Sequence, residues 1–300
     1  MHRFLFCYAL ALLFALFSAH SAAVAQVATP PVVSDSLVQV VASDGTVYVG
    51  RITAVTADQI TMETVSGVRI ELRRAQVRRI EPVRGRVVNG EYWEEDPNTS
   101  RLFVTPTGRA LRRGEGYIGI YELLFPFVAY GITDRFTMAG GIPLFGGFGG
   151  GLPPFYLAPK FEFFTTPTVR AAAGVLAVVF EGESAGLLYG TGTFGTSDRA
   201  LTAGLAYGYV TEGGEDGRSG EISNTPAVMV GGETRIGRRV KLLTENYYIP
   251  GLDGALLSGG ARLFGRAWAF DFGLLFLVSG DGGGGYLPLI SFNYNFGRDR

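Results

Sequence analysis

The chain has 300 residues, with 26 Lys and Arg against 27 Asp and Glu and a formal net charge of −1, so it lacks the basic field that gathers nucleic acid. Its one cysteine, Cys7, and its two histidines, His2 and His20, all lie within the first twenty residues. If that start is removed, disulfide frameworks, thiolate zinc sites and imidazole acid–base chemistry go with it, and no cofactor, metal ligand or catalytic residue is expected.

Met1-His2-Arg3 is a basic start, Phe4 to Phe17 is free of charge, and small residues run to Ala23-Val24-Ala25. This is the form of a secretory signal peptide over 1–25, cleaved after Ala25. The apolar stretch is too short for a retained membrane helix. Cys7 lies too early in it for a lipidation site. Residues 26–35 are expected to be a disordered N-terminus.

Glycine divides the remainder. Gly45, Gly50, Gly67, Gly85, Gly90 and Gly108 precede Gly114, and all the other glycines of the 44 fall at or beyond it. Residues 36–83 read as a small β module. Val47, Val49, Ile60 and Met62 fit short strands, Val68 to Leu72 alternates, and Asp44-Gly45 and Ser66-Gly67 are turn signals. Five strands in this length predict a small closed barrel. The pattern "DGTVYVGRI…ITMET…GVRIEL…VRRIEP" looks like SH3-like or Sm-like modules. Arg69, Arg73, Arg74, Arg78 and Arg79 are read as a solvated basic face or one that meets acidic envelope material. Residues 84–100, with Glu91, Glu94, Glu95 and Asp96, are read as a solvated acidic linker, because their spacing lacks the D-x-D-x-D-G form of a calcium loop.

From residue 101 onward, glycines and prolines break every apolar run, each at a cost to a helix of about 1 kcal/mol per Gly and 3 per Pro. Period two fits instead. Trp268, Phe270, Phe272, Leu274 and Phe276 share one face, opposite Ala269, Asp271, Gly273 and Leu275. Leu201 to Tyr209 and Ile290 to Phe296 sort the same way. A sandwich turns large groups inward. A membrane barrel turns them to lipid and leaves small and polar groups for the lumen.

Candidate strands are 101–107, 116–131, 136–145, 155–164, 169–180, 186–196, 200–210, 224–237, 240–250, 255–265, 268–278 and 286–296. Short turns (TDR 133–135, TPT 166–168, SDR 197–199, GRR 237–239, GRA 265–267) alternate with longer loops such as GGFGGGLPP, TEGGEDGRSGEIS and SGDGGGG. That alternation marks an outer-membrane barrel, and an even strand number puts both chain ends on the short-turn, periplasmic side. The fold class expected is therefore all-β: a transmembrane antiparallel β-barrel of about 12 strands over 101–296, with ten to fourteen bracketing the count, the small five-stranded barrel before it and a tail at 297–300. In YGITDRFTMAGGIPL, Phe136, Met138, Ile142 and Leu144 should face lipid, while changes at Thr137 and Ala139 should be tolerated.

The closing stretch ISFNYNF resembles the terminal strand read by the barrel-insertion machinery, with Phe292, Tyr294 and Phe296 as its aromatic signal; GRDR after it is a departure. PNTSRLFVTPTGRALRRGEGYIGIYELLFPFVAYGITDRFTMAGG resembles a group of uncharacterised exported outer-membrane barrel proteins of Gram-negative bacteria. The resemblance implies fold and location, with outer-membrane lipid and the insertion machinery as partners, and no reaction.

With large groups on lipid, the lumen receives Glu122, Lys160, Glu162, Glu233, Arg235, Lys241, Glu245, Arg262 and Asp271. Charges of both signs there are either hydrated in a channel or paired into a network. Three functional classes stay open. The first is a narrow polar channel or ligand-holding barrel. The second is a non-catalytic scaffold whose N-terminal module docks a periplasmic partner. The third is an envelope enzyme without histidine, using a Ser–Lys pair at Lys160 or Lys241 or the carboxylates Glu233 and Glu245.

Overall fold

Alternating faces and tight turns build both parts of the molecule. A computed structural model describes residues 34–144, 153–180, 183–214, 217–252, 254–279 and 284–297. The expected signal peptide, its cleavage site and most of the disordered N-terminus lie outside the described residues, as does 298–300 of the tail.

The N-terminal module contains β1 (Ser34–Ala42), β2 (Val47–Val55), β3 (Gln59–Thr64), β4 (Arg69–Arg73), a 3-10 turn (Arg74–Gln76) and β5 (Val77–Pro82). Gly45 and Gly67 take positive φ in the hairpin turns, and Asp44 Oδ1 accepts the Thr46 N–H at 2.8 Å. Val40, Ile52, Ile60, Met62 and Leu72 are buried on one face. The sheet runs β4-β3-β2-β1-β5 and stays open, which corrects the expected closed barrel. The 3-10 turn joins β4 to β5 and is tied to the neighbouring turns: Ser43 N–H donates to Gln76 O, and Arg74 N–H to Asp58 O. β4 and β5 are left as the two edges.

The expected linker begins as a hairpin of β6 (Gly85–Val88) and β7 (Glu91–Glu94). Asn89 and Gly90, with φ of 51° and 77°, supply the left-handed pair of a two-residue turn.

The large sheet contains β8 (Gly116–Tyr121), β9 (Phe125–Gly131), β10 (Phe136–Gly141), β11 (Phe155–Thr165), β12 (Val169–Phe180), β13 (Glu183–Gly195), β14 (Arg199–Gly214), β15 (Gly217–Ile222), β16 (Ala227–Gly237), β17 (Val240–Tyr248), β18 (Ala255–Phe264), β19 (Trp268–Val278) and β20 (Gly284–Phe296). Every neighbouring pair is antiparallel, and β20 closes on β8 from Ser291↔Tyr121 to Phe296↔Gly116. β15 pairs the far part of β14 and β16 its near part, so together they form one interrupted stave. The result is a closed barrel of 12 staves.

That total conceals two corrections. Residues 101–107 form no barrel strand, and 116–131 is two strands rather than one. Glu122 and Leu123 turn the chain with φ of 50° and 57°, positions that glycine or asparagine usually fills. Tertiary bonds hold the turn: Glu122 N–H donates to Ile290 O, and a Glu122 carboxylate oxygen accepts the Ile290 N–H at 2.8 Å. Glu122 is thus a turn clamp on β20 rather than a lumen charge.

The outward face carries Ile118, Val128, Leu157, Phe161, Leu201, Leu205, Leu242, Phe272, Leu274 and Phe292, all exposed. Thr244 and Asn246 interrupt this face with polar groups. There the β17–β18 ladder opens, and side chains replace it: Ser258 N–H donates to Asn246 Oδ1 at 3.0 Å, and Thr244 Oγ1 donates to Ser258 O at 2.7 Å.

A plugged lumen as the candidate functional site

Between β7 and β8 the chain enters the barrel at its short-turn rim, rises to about mid-height and returns. Asp96, Asn98, Arg101, Leu102, Phe103, Thr107, Arg109 and Leu111 are all buried there. This segment is irregular, so its peptide groups need partners from the wall. Glu245 Oε2 accepts the N–H groups of Val104 and Thr105, each at 3.1 Å. Thr193 Oγ1 accepts Gly108 N–H at 2.9 Å, Glu162 Oε2 accepts Ala110 N–H at 2.7 Å, and Thr137 Oγ1 accepts Leu111 N–H at 2.9 Å. Lys160 Nζ donates to Ser100 O, Thr107 O and Arg109 O at 2.8, 3.2 and 2.6 Å. Gly108 has to be glycine: a Cβ there would lie 2.3 Å from Arg170 O on β12.

An unbroken chain of opposite charges ties plug to wall. Arg109 of the plug meets Glu233 at 2.5 Å, and Glu233 meets Lys241 at 2.8 Å. Lys241 meets Asp96 of the plug at 2.6 Å, and Asp96 meets Arg262 at 3.2 Å. Arg262 grips Asp271 through Nε at 2.6 Å and NH2 at 3.1 Å, and Asp271 also holds Arg101 of the plug at 2.7 Å. Arg262 donates besides to Asn98 O and Leu102 O, each at 2.7 Å. The Arg101 guanidinium lies over the rings of Tyr117 and Tyr121 at 5.9 and 5.3 Å. Charges so buried are tolerated because each has partners, and removing one strands the next.

Of the lumen charges expected from sequence, Lys160, Glu162, Glu233, Lys241, Glu245, Arg262 and Asp271 are buried inside the barrel. Arg235 sits at the short-turn rim, paired with Asp198 at 2.9 Å and flanked by the rings of Trp93 and Phe264, each at 5.0 Å. The sequence reading missed the plug's own members, Asp96, Arg101 and Arg109. It placed Asp96 in a solvated linker, whereas that carboxylate is 2% exposed between Lys241 and Arg262. Thr137, expected to be freely replaceable, is spent on the plug. Phe292 and Tyr294 face outward on β20, and the Phe296 ring stacks on Tyr130 at 6.4 Å. The N-terminal part docks at the same rim, where Arg266 donates to Gln39 at 3.1 Å and Glu81 at 3.0 Å, and Arg86 meets Asp198 at 2.9 Å.

The lumen changes character above the plug. Leu102 and Phe103 form its tip and pack with Met229, Leu243, Tyr247 and Leu289. From there to the long-loop rim the register turns Tyr189 and Leu187 of β13 inward, together with Leu275 of β19 and Leu176 of β12. The charged inward positions from Lys160 to Asp271 thus cluster toward the short turns, apolar and tyrosine positions follow them, and charge returns at the long-loop rim with Glu183 and Glu221.

No protein-family model matches the chain, and no curated protein does. Solved structures similar to it include the NanC porin, at 8% identity over 60% of this chain and 97% of that one, TM-score 0.38. The KdgM porin is at 8% identity over 60% of this chain and 95% of that one, TM-score 0.36. A loop-deleted OmpT, an outer-membrane protein of Vibrio cholerae, is at 13% identity over 87% of this chain and 96% of that one, TM-score 0.36. At these identities and scores the likenesses carry no functional information.

Proposed function

We propose that this chain is an outer-membrane β-barrel whose lumen is sealed at rest by its own segment Asp96–Arg113, leaving a ligand-holding cup on the far side. The observation that carries this is the charge chain from Arg109 to Arg101, which joins plug to wall by links of 3.2 Å or less. The outward apolar face supports the membrane location, since in lipid every strand must be paired and only a closed barrel achieves this with β structure. An exported chain with a cleaved leader, inserted through the Phe292-Tyr294-Phe296 signal and carrying its N-terminal module in the periplasm, fits that location.

The reading is non-catalytic. Glu233 is held by Arg109 and Lys241, Glu245 by plug amides and Tyr247, and Lys160 by plug carbonyls, so each candidate acid or base already has a structural task. Planar-bilayer recording tests the seal. The purified barrel should show no steady current at high salt, and moderate urea should bring stepwise openings, because the plug lacks the ladders that hold the wall. Steady steps in wild-type protein without denaturant would refute the seal.

A further inference from the structure

The far half of the lumen is built unlike the near half. Above the plug tip, the inward positions Leu176, Leu187, Tyr189, Leu275 and Leu289 carry no charge, and Leu187, inward by register, is 38% exposed. An accessible apolar surface facing a lumen is costly to leave against water, and hydroxyl-tipped rings among aliphatic groups suit a chain with a small polar end.

The wall beside this space is low. β8 has 6 residues, β9 has 7 and β10 has 6, whereas β20 has 13. A tilted strand needs about 9–11 residues to span a bilayer core. β20 pairs with β8 only from Ser291 to Phe296. Among the described residues, Gly284–Leu289 therefore pair with β19 alone, and this edge belongs at the lipid–water boundary, where water can serve its unpaired peptide groups. The β8–β9 turn ends the wall there, fastened to Ile290 by Glu122, with Leu123 67% and Leu124 46% exposed at its tip. Tyr286 stands exposed on the outer face of this stretch and Leu287 on its lumen face. Apolar groups thus run from the outer surface, over the turn and into the lumen.

We infer that the far half of the lumen is a cup for one acyl chain, which reaches it sideways from the membrane over the β8–β9 turn. The charged network beneath would exclude the chain from the near half, with Leu102 and Phe103 as the floor. This rests on the sealed-lumen reading, because only a closed floor makes the space a cup.

The test uses full-length protein in phosphatidylcholine nanodiscs and stearic acid with a nitroxide near its methyl end. An immobilised signal should saturate at about one probe per barrel and be displaced by palmitic acid. A nitroxide on a phosphatidylcholine chain separates a lipid occupant from a free amphiphile, and saturable immobilisation of either supports the cup. Leu187→Asp, which puts a carboxylate in the cup, should weaken binding at least roughly tenfold. If that variant fails to fold, Leu275→Asn is the second, judged against the same heat-modifiable mobility as wild type. No saturable immobilised signal in wild type, or unchanged binding in a folded cup variant, overturns the inference. A barrel silent in bilayers that binds no chain loses only this inference; a barrel that conducts without urea loses the seal as well.

Discussion

Replacing Lys160 by methionine keeps an unbranched side chain one heavy atom shorter and removes its three bonds to the plug. Ser100 O retains the Thr107 N–H at 3.0 Å, so the loss falls chiefly on Thr107 O and Arg109 O. An orphaned buried acceptor costs about 1–3 kcal/mol, and with relaxation of the plug the two together should cost roughly 3–4 kcal/mol. At about 1.4 kcal/mol per factor of ten, local opening of the plug should rise by roughly two to three orders of magnitude. Native-state hydrogen exchange reads this directly at the Gly108, Ala110 and Leu111 amides, whose acceptors are Thr193, Glu162 and Thr137 on the wall. Amides of Ile60 and Met62 in the N-terminal sheet serve as the internal reference and should not change. Exchange of the plug amides within about twofold of wild type, in a folded barrel, would refute the view that Lys160 holds the plug.

Asp271→Ala strands two buried guanidinium groups, Arg262 and Arg101, and should destabilise the plug by about 3–5 kcal/mol, whereas Arg262→Met combined with Asp271→Leu should cost much less than the single changes summed. A double-mutant cycle on plug exchange measures the difference. Leu123→Gly should raise stability by about 1 kcal/mol, read as a higher urea midpoint at unchanged slope, because Leu123 is held at φ 57° where glycine is unstrained. The gain should vanish if Glu122 no longer fixes the turn.

The barrel was legible because its signal is local and repeated. Period two in Trp268–Phe276 fixes which side chains share a face, and the short-turn series fixes where strands reverse. The β8–β9 turn was not legible, because Glu122 and Leu123 carry no turn signature. What bends the chain there is a bond to Ile290, far along the sequence. The plug failed for a related reason. Arg101 to Thr107 alternates as a strand would, and the groups that draw it inside, Asp271, Arg262 and Glu245, lie well over a hundred residues away. The open sheet of the N-terminal module shows the same limit. Its strands follow from alternation, while closure depends on whether β4 meets β5, which alternation within a strand does not encode.

Height along the strand carries information that face alone does not. Pooling every inward residue suggests a polar passage, yet on β20 Asn295, Asn293 and Ser291 give way to Leu289 and Leu287. On β19 Asp271 gives way to Gly273, Leu275 and Leu277, and on β17 Lys241 and Glu245 precede Tyr247. In each strand the polar end is the one next to the short turn. A single polar conduit would carry polar groups at every height, and these strands do not supply them. Two stacked compartments need the gradient that is present: a lower one whose charges are consumed by Asp96, Arg101 and Arg109, and an upper one apolar up to the rim where Glu183 and Glu221 stand. The two are coupled through Leu102 and Phe103, which belong to the plug yet form the floor of the upper space. Loosening the charge chain should therefore reach the cup only by moving that floor.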